Sequence, residues 1–360
     1  MVSFLTQIRA GYIARRQHAF PSSVVLVGMR TVRDVVSWLG TSSPFNISAE
    51  AVSLGAFSQA DVAELVGQHT AATGQLFEPE AISTIWNLAQ GHPWLTNALA
   101  DEAVNHEAPD RNLPITQKHI EAAKETLILE RRSHIDSLVA RLHEPRIVRI
   151  LAPMLQGERA ISEGFLQDDL AYAVDMGILR LCQGQYEVDN PIYREVIPRA
   201  LTFEQQTQIQ EPTARYVQPN GELDVPKLMA AWQVFWRTDG HLAAEGFGYR
   251  EAGPHLMLMA FLQRVINGGG QIHREYGLGR GALDILIQWK SQRFAIEVKL
   301  RRDNHTEGLA LAQLNRYLDH LGLGEGYLVL FDLRKEVEWE EKLTTRTVDV
   351  LGKTVHVVGC

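Results

Sequence analysis

Residues 281–299 read GALDILIQWKSQRFAIEVK, and the way ionisable residues interrupt two apolar runs there decides the fold of the carboxyl-terminal third. Positions 282–287 and 294–298 are apolar except for Asp284 and Glu297, and the polar "QWKSQR" lies between them. Short apolar runs bounded by a turn are expected to form two adjacent strands. A charge buried in such strands without a partner or a metal costs several kcal/mol, so Asp284, Glu297 and the nearby Lys299 need a compensating reason.

Adjacent strands lie about 4.8 Å apart, so carboxylates on facing positions of a hairpin can ligate one divalent ion. Lys299 follows Glu297 by two positions, and the strand period of two puts both on one face of the sheet. Two carboxylates suit Mg²⁺ or Mn²⁺, and such a metal lowers the pKa of a bound water and stabilises charge on a phosphoryl oxygen. A lysine beside it can orient or deprotonate that water.

Working outward, "PHLMLMAFLQRVI" reads as a helix before the hairpin and "GGQIHREYGLG" as a first strand. A helix over 307–321 and a strand "GYLVLF" at 326–331 follow, which gives the order α-β-β-β-α-β. Gln313 and Tyr317 are four apart and share one face of that later helix, from which they could touch a phosphate or a base. Glu251 begins the earlier helix and offers a third carboxylate, although a first-turn glutamate also simply favours the helix dipole. Arg280, Arg301 and Arg302 would surround the entrance with positive charge, as a phosphodiester substrate requires. His255, after Pro254, reads as a structural residue.

Upstream, "SSVVLVGM" (22–29) reads as a buried parallel strand. Residues 58–72 read as a helix with Ser58 as its N-cap, followed by two more helices separated at Gly91-His92-Pro93. A helix from about 135 to 155 is expected to break at Pro145 and Pro153, with another at 168–176. Residues 177–197 read as two short strands around Gly184 and a closing segment. Helices followed by a two-stranded wing suggest a winged helix-turn-helix, and a small packing unit without a nucleic-acid role explains them equally well. The polar stretch 202–222 is the expected linker.

The bulk composition fits this organisation. The 360 residues, 45% hydrophobic and 22% charged, suffice for two or three domains with sizeable cores. A net charge of −8 argues against whole-surface attraction to nucleic acid or membrane while leaving local basic grooves open. The two cysteines, Cys182 and Cys360, are not in metal-binding spacing and suit a reducing compartment. No apolar run is long enough to span a bilayer, and the first residues are too polar for a signal peptide, so a cytoplasmic location without a membrane partner is expected.

Asp284, the E-V-K at 297–299 and the Gln313-x-x-x-Tyr317 pair resemble the PD-(D/E)XK nuclease superfamily, in particular its RecB-like branch, over about 245–335. Leu283 stands where proline is usual. The resemblance implies a restriction-endonuclease-like domain in which Asp284 and Glu297 hold the metal, Lys299 assists the attacking water and Glu251 matches the acidic residue of the first core helix. "FPSSVVLVGMRTVRD", "FSQADVAELVGQHTAATGQLFEPEAI" and "QGHPWLTNALADEAV" are similar to the later part of bacterial AAA-like ATPases that carry such a domain.

The resemblance implies an α/β multi-domain chain: the end of an ATPase core at 1–57, a helical lid at 58–130, a winged-helix-like unit at 131–201, a linker at 202–222, the nuclease-like domain at 223–338 and a terminal strand or tail at 339–360. A G-x-x-x-x-G-K-[ST] phosphate loop is absent, "LGKT" at 351–354 is a chance likeness, and Trp94 stands where a sensor arginine might follow G-x-P. The chain therefore looks like an ATPase–nuclease lacking the first part of its ATPase core, with ATP as a cofactor only if that part is supplied. The expected function is Mg²⁺-dependent cleavage of DNA, with homo-oligomerisation through the AAA-like part. The alternative is a regulatory or DNA-binding ATPase relative whose nuclease-like domain is inert.

Overall fold

The computed structural model describes residues 2–21, 25, 27, 54–155, 167–209, 211–245, 252–266, 269–273, 285–301, 305–332, 334 and 337–360. The chain divides into two compact units, Met1–Ala56 and Phe57–Cys360. In the first, α1 (Val2–Ile13) is followed by a turn in which the Phe20 ring meets Tyr12 edge-on at 6.2 Å. Most of the strand expected at 22–29 lies outside the described residues.

The second unit is mixed α/β. Its first helix, α2 (Gln59–Thr73), starts where expected: the Ser58 hydroxyl accepts from Asp61 N, and the Asp61 carboxylate accepts from Ser58 N. This reciprocal cap satisfies two of the donors that a helix start leaves open. Next come α3 (Pro79–Ala89) and α4 (Pro93–Glu102), separated by left-handed Gln90 and Gly91. A Cβ at Gly91 would lie 2.0 Å from Phe57 O, so the close approach of residue 57 as well as the φ of +77° demands glycine. Then follow α5 (Gln117–Leu129), α6 (Ser133–Arg141) and α7 (Pro145–Leu155). Pro145 separates α6 from α7 as expected. Pro153 does not break α7, which runs through it to Leu155 at the cost of one backbone hydrogen bond.

After α8 (Gln167–Asp175) the two short strands around Gly184 form a hairpin of β1 (Leu179–Cys182) and β2 (Gln185–Val188). Gln183 and Gly184 both have positive φ, as a two-residue turn matching the strand twist needs. The α9 helix (Pro191–Leu201) closes this region, capped by Asn190. The polar stretch 202–222 contains α10 (Phe203–Gln208) and a 3₁₀ turn that buries Tyr216 fully. Thr213 donates to Val265 O, and Trp289 Nε1 donates to Gly221 O, tying this stretch to the elements that follow.

Those elements are α11 (Val225–Phe235), α12 (His241–Glu245), α13 (Gly253–Ile266), β3 (Gly270–His273), β4 (Ile285–Trp289), β5 (Gln292–Arg301), α14 (Thr306–Leu321), β6 (Glu325–Asp332), α15 (Trp339–Lys342), β7 (Thr345–Val350) and β8 (Lys353–Gly359). The order from α13 to β6 is the expected helix, three strands, helix, strand. The strands form one six-stranded sheet in the order β3-β4-β5-β6-β8-β7. Neighbours β3–β4, β4–β5 and β7–β8 are antiparallel, whereas β5–β6 and β6–β8 are parallel. The parallel step from β5 to β6 requires a crossover, which α14 supplies.

The central strand β6 is buried from Gly326 to Asp332, which explains its almost unbroken apolar sequence. One face of the sheet, carrying Ile296, Val298 and Phe331, packs with Trp232 of α11 and Phe261 of α13. The other, carrying Ala295, Leu328 and Leu330, packs on Ala310, Leu314 and Leu318 of α14. Both cysteines are free. Cys182 is exposed, whereas Cys360 is buried, accepts a hydrogen bond from Trp232 Nε1 at 3.2 Å, and has its thiol pushed up to about 12 by that burial. No helix among the described residues is long and apolar enough to cross a membrane.

Candidate functional site

The alternation of β5 sets the site. Ile296 and Val298 enter the core beneath α11 and α13, and the preceding Ala295 lies in the smaller core beneath α14. Period two carries Glu297, Lys299 and Arg301 onto that same α14 face. In the parallel pairing, Glu297 lies opposite Leu328, Lys299 opposite Leu330 and Arg301 opposite Asp332. Glu297 is fully buried, and its Oε1 lies 2.6 Å from Lys299 Nζ, whose side chain retains 21% exposure. A charge-assisted contact of this length offsets part of the cost of burying both groups.

The α14 helix covers this face. Its buried stripe includes Ala310, Gln313, Leu314 and Leu318, and Tyr317 packs half-buried against the same cluster. The structure thus brings Glu297 and Lys299 into direct contact and lays the helix bearing Gln313 and Tyr317 over their side of the sheet. Arg301 is half-buried at the carboxyl end of β5. Asp284, Glu251, Arg280 and Arg302 lie outside the described residues. His255 sits in the opposite core, where its ring meets Phe331 at 6.2 Å, in keeping with a structural role.

Two arrangements escape a linear reading. At the carboxyl end of β6, Arg334 forks onto Asp332, with Nε donating to Oδ1 at 2.9 Å and Nη2 to Oδ2 at 2.6 Å. Hydrogen bonds from Arg334, with a smaller contribution from the Arg301 charge, hold the Asp332 carboxyl below the usual carboxylate range. The only linear hint is an aspartate ending an apolar run, with an arginine two residues later.

The second arrangement is a cluster of His92, Trp94, His134 and Tyr193 from α4, α6 and α9. Trp94 stacks on His134 at 4.9 Å, and the Tyr193 hydroxyl lies 3.2 Å from His92 Nε2 and 2.5 Å from His134 Nε2. His92 Nδ1 accepts from Leu95 N, so its proton sits on Nε2 and is donated to Tyr193. Tyr193 then donates to His134 Nε2, and both imidazoles are neutral. Burial lowers both imidazole pKa values, that of His134 to about 4, where taking up a proton is further opposed by Arg141 and by a second positive charge on His92.

Among the described residues no group of three or more His, Cys, Asp or Glu is placed to hold a metal ion. At the β5 site they supply one buried carboxylate, Glu297. That is compatible with Mg²⁺, which takes one or two protein carboxylates and keeps several waters. Lys353, the lysine of "LGKT", begins β8 and points its ammonium at Asp319 and Asn315, so it is engaged by side chains of α14. Comparison of the chain with family models, with curated proteins and with solved structures gave no match.

Proposed function

We propose that the 223–338 region is a metal-dependent phosphodiesterase acting on DNA, with Glu297 and Lys299 at its centre. The observation that carries this is a fully buried glutamate in contact with a lysine two positions on, in the layer between β5 and α14. A purely structural ion pair gains little there, since replacing a buried pair by apolar residues is often neutral or stabilising. Glu297 would hold Mg²⁺ or Mn²⁺ together with Asp284, which lies outside the described residues, and Glu251 is the further candidate ligand. When bound, such an ion lowers the pKa of a coordinated water and neutralises charge on a phosphoryl oxygen.

The chain's own groups do the rest. Lys299, held by Glu297 yet partly open to solvent, orients or deprotonates the attacking water. Gln313 and Tyr317 offer an amide and a phenol from one helix face for a phosphate or base, and Arg301 and Arg280 supply positive charge. The test is cleavage of fluorescent single- and double-stranded DNA with Mg²⁺ or Mn²⁺ by wild type, Glu297→Gln and Lys299→Ala. Cleavage confined to wild type is expected, with all three showing the same circular-dichroism spectrum. Equal cleavage by all three, or none by wild type, rejects the proposal. In the latter case the inert-domain alternative becomes the better account of the same fold.

A further inference from the structure

At the carboxyl ends of β5 and β6, Arg301 makes no ion pair with a carboxylate among the described residues, although its charge acts on the nearby Asp332. Arg301 lies in register with Asp332, but both oxygens of Asp332 are taken by the Arg334 fork, and Asp332 Oδ1 also accepts from Arg334 N at 3.1 Å. Arg301 Nε is buried and has no hydrogen-bond partner among the described residues. A buried donor without a partner needs an explanation, and a bound ion or ligand is one of those such groups commonly have. Lys299 and Glu297 neutralise each other, as do Arg334 and Asp332, so the net charge of these five groups is the single positive charge of Arg301. The ligand to expect is an anion.

Its position says which anion. Two residues of strand separate Lys299 from Arg301 on one face, a step of about 6.6 Å. That is comparable with the span between successive phosphates of an extended nucleic-acid strand. We propose that Arg301, set beside the neutralised Asp332–Arg334 pair, binds the phosphate next to the one at Lys299. The substrate is then a polynucleotide strand running along β5 and not an isolated phosphate ester. This rests on the proposal that the scissile phosphate lies at Lys299. It adds Asp332 and Arg334 as residues that set the charge of the neighbouring subsite.

The test measures binding without cleavage. A fluorescein-labelled oligothymidylate is titrated by anisotropy against the full chain in EDTA, over a range of salt concentrations. Arg301→Gln should weaken binding about three- to ten-fold and reduce the slope of log K against log salt by about 0.7, the share of one phosphate contact. Asp332→Asn, which removes a negative charge while keeping the shape that Arg334 grips, should do the opposite. Thymidine monophosphate should compete poorly. Unfolding midpoints of both variants establish that they are folded, and Arg301→Lys should restore the slope if Arg301→Gln loses it.

An unchanged salt slope in folded Arg301→Gln overturns the subsite, as does equal competition by the monophosphate or no binding by wild type. Cleavage by wild type together with an unchanged slope sinks the subsite and leaves the hydrolytic centre standing. A slope that depends on Arg301 without any Mg²⁺-dependent cleavage supports the subsite and rejects the hydrolytic centre.

Discussion

Acidification should weaken this protein through one histidine more than through its bulk charge. His134 is stacked on Trp94 and accepts the Tyr193 hydroxyl proton, and its folded-state pKa is about 4 against 6.5 for a free imidazole. Between those values the unfolded chain takes up a proton at position 134 that the folded chain does not. Stability is therefore fully present above about pH 6.5 and declines as the pH falls towards 4. At full strength that gap is worth about 3 kcal/mol, and the half-exposed position of the ring reduces it to about 1–2 kcal/mol through solvent screening.

His92 shifts in the same direction, and its protonation would also end its cap on α4. The assay compares wild type with His134→Gln, whose side-chain carbonyl can still accept from Tyr193 but cannot titrate. Thermal melts are run at pH 7.0 and at pH 4.5. His134→Gln will be less stable at pH 7, but wild type should lose about 1–3 °C more in Tm on acidification than the variant does. Equal losses would refute the assignment of a neutral, proton-accepting His134.

Three other expectations are local. Gly91→Ala should cost at least about 1–3 kcal/mol, because the new Cβ would sit on Phe57 O at a left-handed position; a Tm within a degree of wild type would contradict that geometry. Leu314→Ala, which empties the core under α14, should cost about 2–5 kcal/mol by denaturant titration, and less than 1 kcal/mol would mean the helix is not seated as described. A chromogenic disulfide reagent should react quickly with Cys182 alone in the folded protein and with Cys360 only after unfolding, since burial raises the Cys360 thiol. Rapid reaction at both would place Cys360 elsewhere.

What could be read in advance was what depends on neighbours in sequence. The Ser58 cap, the break at Gly91-His92-Pro93, the turn at Gly184 and the element order from α13 to β6 each follow from spacing over a few residues. Placing Glu297 and Lys299 on one face needed only the strand period. Burial under α14 needed the crossover, and the charge balance at Arg301 needed the parallel register of β5 with β6, which lies on the far side of that crossover. The interlocking of His92, His134 and Tyr193 was invisible for the same reason, since its members are separated by dozens of residues. Residues 339–360 read as a strand or tail, yet β8 enters the sheet between β6 and β7, a pairing that no local pattern encodes.

That insertion has a consequence for how the chain is made. Strand β6 is apolar from Gly326 to Phe331, and one of its two edges stays bare until β8 has been synthesised and has docked beside it. The β7–β8 hairpin can close quickly on its own turn, but its docking is the step that seals the edge. During translation, or in any variant whose hairpin turn at Leu351 and Gly352 is spoiled, this bare edge is the place where one nascent chain would adhere to another.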